Sequence, residues 1–109
     1  MVKIVALITK RDDLSREEFL RRWQDEHPSY VRALPGLRRY VQNPAIEHRT
    51  SWPCDGVAEL WFDSVADVAA AFDSPAGEAV QRHEEGFIGE LTWLLCEEHP
   101  VDLTRPSEA

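Results

Sequence analysis

Long apolar runs are missing from this chain of 109 residues, so no stretch reads as a membrane span. The opening MVKIVALITKRDD holds a short apolar run, but charge breaks it too early for a secretory signal. Basic residues are scarce: 12 Lys and Arg stand against 20 Asp and Glu, a formal net charge of -8. A surface with that excess does not favour nucleic acid or an anionic membrane as a partner. Cysteine is limited to Cys54 and Cys96 with no CxxC pair, which argues against a disulfide framework and against a zinc site. The four histidines, His27, His48, His83 and His99, have no ligand spacing such as HxxxH, so a metal site is not expected. No glycine-rich loop follows a strand as in nucleotide sites, and no repeat is long enough for a solenoid. The default compartment is the cytoplasm. The length indicates one domain over 1–109, ending in a polar tail at about 103–109. A chain this short buries a modest fraction of its surface, so a partner subunit would help complete the core.

What is present is punctuation of two kinds, helix starts and proline stops. Residues 2–9 are apolar on both faces, the pattern of a strand buried on both sides. Ser15 followed by Glu18 predicts a capping box opening a helix. Phe19, Leu20, Trp23, His27, Tyr30, Val31 and Leu34 then recur at spacings of three and four, a helical apolar stripe. Pro28 interrupts that stripe, because it lacks an N–H and constrains His27 before it. The expected outcome is a kink, or a stop and restart that leaves backbone groups near His27 without helical partners. Pro35-Gly36 turns the chain into a second strand at 37–48, with Pro44 marking an edge or bulge. Residues 57–62 form a third strand. Ser64 caps a short helix, and Ser74-Pro75 starts another that runs to about Glu85. Gly86 and Gly89 frame an aromatic turn, and 91–98 is a fourth strand. The order strand, helix, strand, strand, helix, strand is the split βαβ, ferredoxin-like arrangement: α+β, four antiparallel strands, with helices on one face.

Alternation along the strands assigns the other face. Ala58, Leu60 and Phe62 suit the helices, leaving Val57, Glu59 and Trp61 opposite. On the second strand Tyr40 and Gln42 are placed with them, beside Val5 and Leu7. A solvated face would not need those aromatics, and a dry interface would not want Glu59. The expectation is a homodimer whose two sheets face each other around a partly polar cavity.

The segments SREEFLRRWQDEHPSYVRALPGLRRYVQN, GVAELWFDSVADVAAAFDSP and HEEGFIG resemble the EthD family of dimeric α+β-barrel proteins. The resemblance spans roughly residues 2–98. It implies a homodimer of ferredoxin-like subunits, a pocket between each sheet and its helices, and no metal or organic cofactor. Members of that family are implicated in the breakdown of ethers and aromatics and in polyketide tailoring. The chain is also similar to the methylmuconolactone methylisomerases, whose pattern has a histidine on the first helix and a tyrosine on the second strand. His27 and Tyr40 match those two. That group's further histidine and cysteine have no aligned counterpart; His48 and Cys54 stand nearest.

His27 is the candidate general acid or base, against the plainer role of a helix-end histidine bonding free carbonyls. Tyr40 is the candidate donor to a carbonyl or developing enolate oxygen, against a half-buried strand aromatic. Glu59, if held inward, is a third catalytic candidate, against a pairing with Arg38. Gln42, Trp61, His83 and Phe87 are candidates for substrate contact. Cys54 lacks the basic surroundings that activate a thiol. The function expected is a cofactor-free isomerase or lyase moving a proton on a lactone, quinone or polyphenol. The alternatives are a noncatalytic metabolite-binding protein of a degradation pathway, a cofactor-free monooxygenase, and a purely structural dimerisation module.

Overall fold

The structure, a computed structural model, describes residues 1–104; most of the tail expected at 103–109 lies outside the described residues. Strand β1 (Val2–Lys10) leads to helix α1 (Arg16–Arg21), a π-helical turn (Arg22–Glu26) and helix α2 (His27–Val31). Strands β2 (Arg39–Pro44) and β3 (Gly56–Phe62) come next, then helices α3 (Val65–Asp73) and α4 (Pro75–Glu84), then strand β4 (Ile88–Cys96). The sheet runs β2-β3-β1-β4 with every neighbouring pair antiparallel. This is the ferredoxin-like, α+β arrangement expected from the order of elements.

Local chemistry accounts for the helix ends. Ser15, Ser64 and Ser74 each accept a hydrogen bond from the backbone N–H three residues on, which satisfies a donor the helix cannot. Only half of the expected capping box forms at Ser15, because the Glu18 carboxylate is engaged by Arg21 and Arg22. Ser74 closes α3 and opens α4, so the two helices share one residue as a corner. Strand β4 begins at Ile88, three residues before the predicted start, where Lys10 pairs with Ile88 across a bulge at Thr9/Lys10. The glycine-framed turn is correspondingly shorter than expected.

Register fixes the faces. Ile4, Ala6 and Ile8 of β1 lie under the helices with Ala58, Leu60 and Phe62 of β3. They pack with Phe19, Trp23, Val31 and Phe87 into one core. Tyr40 pairs with Leu60 and Gln42 with Ala58, so both belong to the helix-covered face. This corrects the expectation that puts them with Glu59 and Trp61. Those two pair with Val41 and Arg39 on the opposite face. The expected phase fails because it takes Leu37 as the first residue of the alternation. Leu37 packs against the core, but the strand starts two residues later, and the irregular step between them shifts the count by one.

The uncovered face has its own polar structure. Lys3 Nζ donates to Glu59 Oε2 at 2.8 Å, and Trp61 Nε1 donates to Glu98 Oε1 at 2.9 Å. The Arg39 guanidinium lies 4.5 Å over the Trp61 ring. Glu59 therefore pairs with Lys3, not with Arg38, which instead binds Asp63. Beside this cluster Leu94 is 52% exposed and Leu7 36% exposed. Among the described residues no helix is long and apolar enough to cross a membrane.

Candidate active site

Pro28 builds the site. A regular α-helix through residues 22–31 would push the Pro28 ring against the carbonyl four residues back. The chain instead widens by one residue: the His27 N–H donates to the Arg22 carbonyl, five residues earlier, and α winding resumes with Pro28 in the first turn. The Trp23 carbonyl is thereby orphaned. Its α-helical donor, the His27 N–H, is taken, and its π-helical donor would be the N–H that Pro28 lacks. Gln42 of β2 fills the gap, with Nε2 donating to the Trp23 carbonyl at 2.7 Å and lying 2.7 Å from the Tyr40 hydroxyl oxygen. One amide thus ties the widened turn to the phenol. Because the Tyr40 oxygen accepts from Gln42, its own O–H is left to donate elsewhere. Replacing Gln42 with alanine strips the buried Trp23 carbonyl of its donor. The expected loss is about 1–3 kcal/mol of stability, read as a lower urea midpoint with unchanged slope.

His27 is 5% exposed and meets His83 of α4 with Nδ1 to Nδ1 at 2.8 Å. The ring centroids are 5.0 Å apart and the planes differ by 14°. The centroid gap exceeds the nitrogen gap by about one ring width, so the rings meet edge to edge in nearly one plane, as an in-plane lone pair requires. Tyr30 lies flat against His83 at 4.4 Å, and the edge of Phe87 meets His27 at 5.0 Å. On its far side His83 Nε2 faces Glu26 Oε1 at 3.3 Å. Arg21, and then His83, holds the Glu26 carboxyl below the usual range, so Glu26 accepts. His83 then donates through Nε2, its Nδ1 accepts, and the His27 Nδ1–H donates to it. The His27 Nε2 is left with a bare lone pair, no protein partner among the described residues and an opening to the cavity it lines. Burial, reinforced by His83, pushes the His27 imidazole down to about 4, so it is neutral and basic in form near pH 7.

The cavity lies between the sheet and α2–α4 and holds about 360 Å³, within the span of small-molecule sites. Its walls are mainly aliphatic, with Ile4 and Leu60 from the sheet and Val68, Phe72 and Val80 from the helices. His27, Tyr40, Gln81, Asp73 and Glu84 supply the polar groups. Burial raises the Tyr40 phenol, the hydrogen bond from Gln42 works against that, and the Glu84 charge adds to it. Burial likewise pushes the Glu84 carboxyl up to about 7.

The predicted site residues are therefore divided. His27 and Tyr40 share the cavity, Gln42 stands behind Tyr40, and His83 stands behind His27. Phe87 is fully buried in the core, against Phe19 and both imidazoles. Glu59 and Trp61 lie on the other face of the sheet and do not reach the cavity, a correction that comes from the register of β2. His48 stacks loosely on Trp52 in the β2–β3 connection. Glu84, with Asp73 and Gln81, is among the cavity residues that sequence reasoning misses. A signal for it exists: Ala76, Val80 and Glu84 fall at spacings of four, which puts a carboxylate on the inward stripe of α4. Among the described residues no group of three or more His, Cys, Asp or Glu side chains is arranged to hold a metal ion.

Comparison with known proteins agrees with this architecture. The EthD domain family matches residues 11–90. A 4-carboxymethyl-4-methylbutenolide mutase of Pseudomonas reinekei is 28% identical over 106 residues, covering 90% of this chain and 98% of the mutase. An EthD family protein of Bacillus halodurans superposes with a TM-score of 0.78 at 24% identity, over 91% of this chain and 99% of its own. A dimeric protein of unknown function with a ferredoxin-like fold, from Bacteroides fragilis, does so with a TM-score of 0.69 at 15% identity, over 89% and 95%.

Proposed function

The chain belongs to the EthD family, and from that premise we propose that it is a cofactor-free isomerase acting by proton transfer on a small oxygenated molecule of the lactone type. The observation that carries this reading is the Glu26–His83–His27 chain, which leaves a neutral imidazole nitrogen, His27 Nε2, bare at a cavity shared with a free phenol O–H. His27 Nε2 takes a proton from a carbon conjugated with the substrate carbonyl. The electron pair moves onto the carbonyl oxygen, where the Tyr40 O–H donates to the developing charge. As Nε2 gains its proton, the Nδ1 proton passes to His83, and the positive charge settles beside the Glu26 carboxylate. The relay answers a real cost, since a cation on the buried His27 ring itself is strongly disfavoured. Return of the proton to a different carbon of the conjugated system gives an isomer, with atoms and electrons unchanged.

The mutase relative supports the lactone class. A test is turnover of a butenolide in D2O. Deuterium should enter the carbon skeleton with the wild-type protein and not with His27→Ala. Ligand binding without exchange would favour a metabolite holder instead.

The protein acts as a homodimer in this reading. The open sheet face carries Leu7 and Leu94 beside Val5 and Val57, more apolar surface than an uncovered strand face needs, and a structural neighbour is dimeric. Leu94→Lys sets a charge on that face and is expected to shift the protein to monomer in sedimentation velocity. An unchanged dimer would place the contact elsewhere.

A further inference from the structure

We propose that the cavity selects an uncharged substrate, such as a lactone, ester or carbonyl compound with no ionised acid group, and that Glu84 sets this selection. The proposal rests on the small-molecule site described above and narrows what enters it. Among the described residues no lysine or arginine lines the cavity, while two carboxylates do: Asp73 at the end of α3 and Glu84 at the end of α4.

The arginines of the neighbouring helix are committed elsewhere. Arg21 binds Glu18 and Glu26, and Arg22 binds Glu18 and the Gly86 carbonyl. Lys3 serves Glu59 on the far face of the sheet. A carboxylate entering this space loses its water among aliphatic walls, finds no cation and meets the Asp73 carboxylate, joined by that of Glu84 once its proton is lost.

A neutral oxygenated ligand meets the opposite circumstances. Tyr40 offers an O–H, and Glu84, which makes no hydrogen bond or ion pair among the described residues, offers another whenever its carboxyl holds a proton. Burial favours that protonated form up to about pH 7. The titratable groups that share the cavity with it are Asp73, His27 and Tyr40. None of them is a cation near neutrality that would hold Glu84 ionised. The mutase relative is named for a substrate that carries a carboxymethyl group, so this chain is inferred to differ from it in what it admits.

The test is a matched pair, 4-carboxymethyl-4-methylbutenolide and its methyl ester, titrated calorimetrically into the full-length protein at pH 8. The ester is expected to bind at least about tenfold more tightly than the acid, the scale of one unfavourable charge contact. Glu84→Gln keeps the shape and removes the charge. It should improve binding of the acid several-fold and change that of the ester little. Equal or tighter binding of the acid overturns the proposal, as does absence of ester binding or a preference unmoved in Glu84→Gln. An ester that binds preferentially but is never isomerised leaves the selection standing and removes the isomerase reading.

Discussion

His27→Ala should lose turnover by a factor of about 10³, within the usual range for removing a positioned general base, while thermal unfolding stays cooperative. Part of that loss should be diagnostic. In the wild-type protein burial keeps the His27 ring neutral, pushed down to about 4, so the base is ready well into the acid range. The acid limb of kcat/KM set by the His27 ring should therefore fall well below the pH at which an ordinary histidine titrates. His83→Asn gives a second reading. It keeps a group that can meet His27 Nδ1 but cannot carry the positive charge, so kcat should drop about tenfold or more with little change in KM. If His83→Asn leaves kcat untouched, the relay to Glu26 has no part in the reaction. If His27→Ala retains turnover, the proposed chemistry is wrong.

Stability should respond to pH in a way that only removing a group reveals. Glu84 ordinarily releases its proton near 4.5 but holds it up to about 7 in the folded protein. Across that window the folded state binds the extra proton, so raising the pH lowers stability, and the loss is complete above about 7. His27 does the reverse. Its ordinary value is 6.5 and its folded value about 4, so across that window the unfolded chain binds the extra proton and raising the pH increases stability. Each effect is on the order of 3 kcal/mol at most, and over about pH 4.5–6.5 they oppose each other. The wild-type protein should look nearly flat there. Glu84→Gln should expose the rise from His27 and gain up to about 3 kcal/mol at pH 8. His27→Phe should expose the fall from Glu84. Glu18, held down to about 2 chiefly by Arg21 and then Arg22, and the other arginine-paired carboxylates act below this window. Urea midpoints at pH 4.5, 6 and 8 for the three proteins decide the matter. Parallel curves would mean that neither group is buried as described.

The elements legible in the sequence are those specified within a few residues. Ser15, Ser64 and Ser74-Pro75 announce helix starts because a cap acts over one turn. The apolar run of β1 announces a strand, though not one covered on both sides, since Leu7 on its other face is 36% exposed, and with the element order this gives the topology. What stays illegible depends on partners far along the chain. The phase of β2 is set by pairing with β3, and the irregular step at Leu37–Arg38, before the strand begins at Arg39, breaks the alternation that would reveal it. Simple alternation therefore puts Tyr40 and Gln42 on the wrong face and brings Glu59 and Trp61 to a cavity they do not touch. The direct bond between His27 and His83 joins residues 56 positions apart, and no local pattern foretells it. Glu84 is hidden by its type: a glutamate near a helix end is ordinarily solvated, and only its spacing from Val80 argues otherwise.

The widened turn at Arg22–Glu26 amounts to one surplus residue in an otherwise regular coil. Taking out that surplus, by deleting either Gln24 or Asp25, would leave Pro28 inside a regular coil, with its ring against the carbonyl four residues back. The segment would keep its bearing, since the i→i+5 turn holds one residue more than the i→i+4 turn it replaces, and would lose the seam that admits the proline. At the outward positions spelling is negotiable and length is not: a changed letter leaves room for the ring, whereas a missing one closes it.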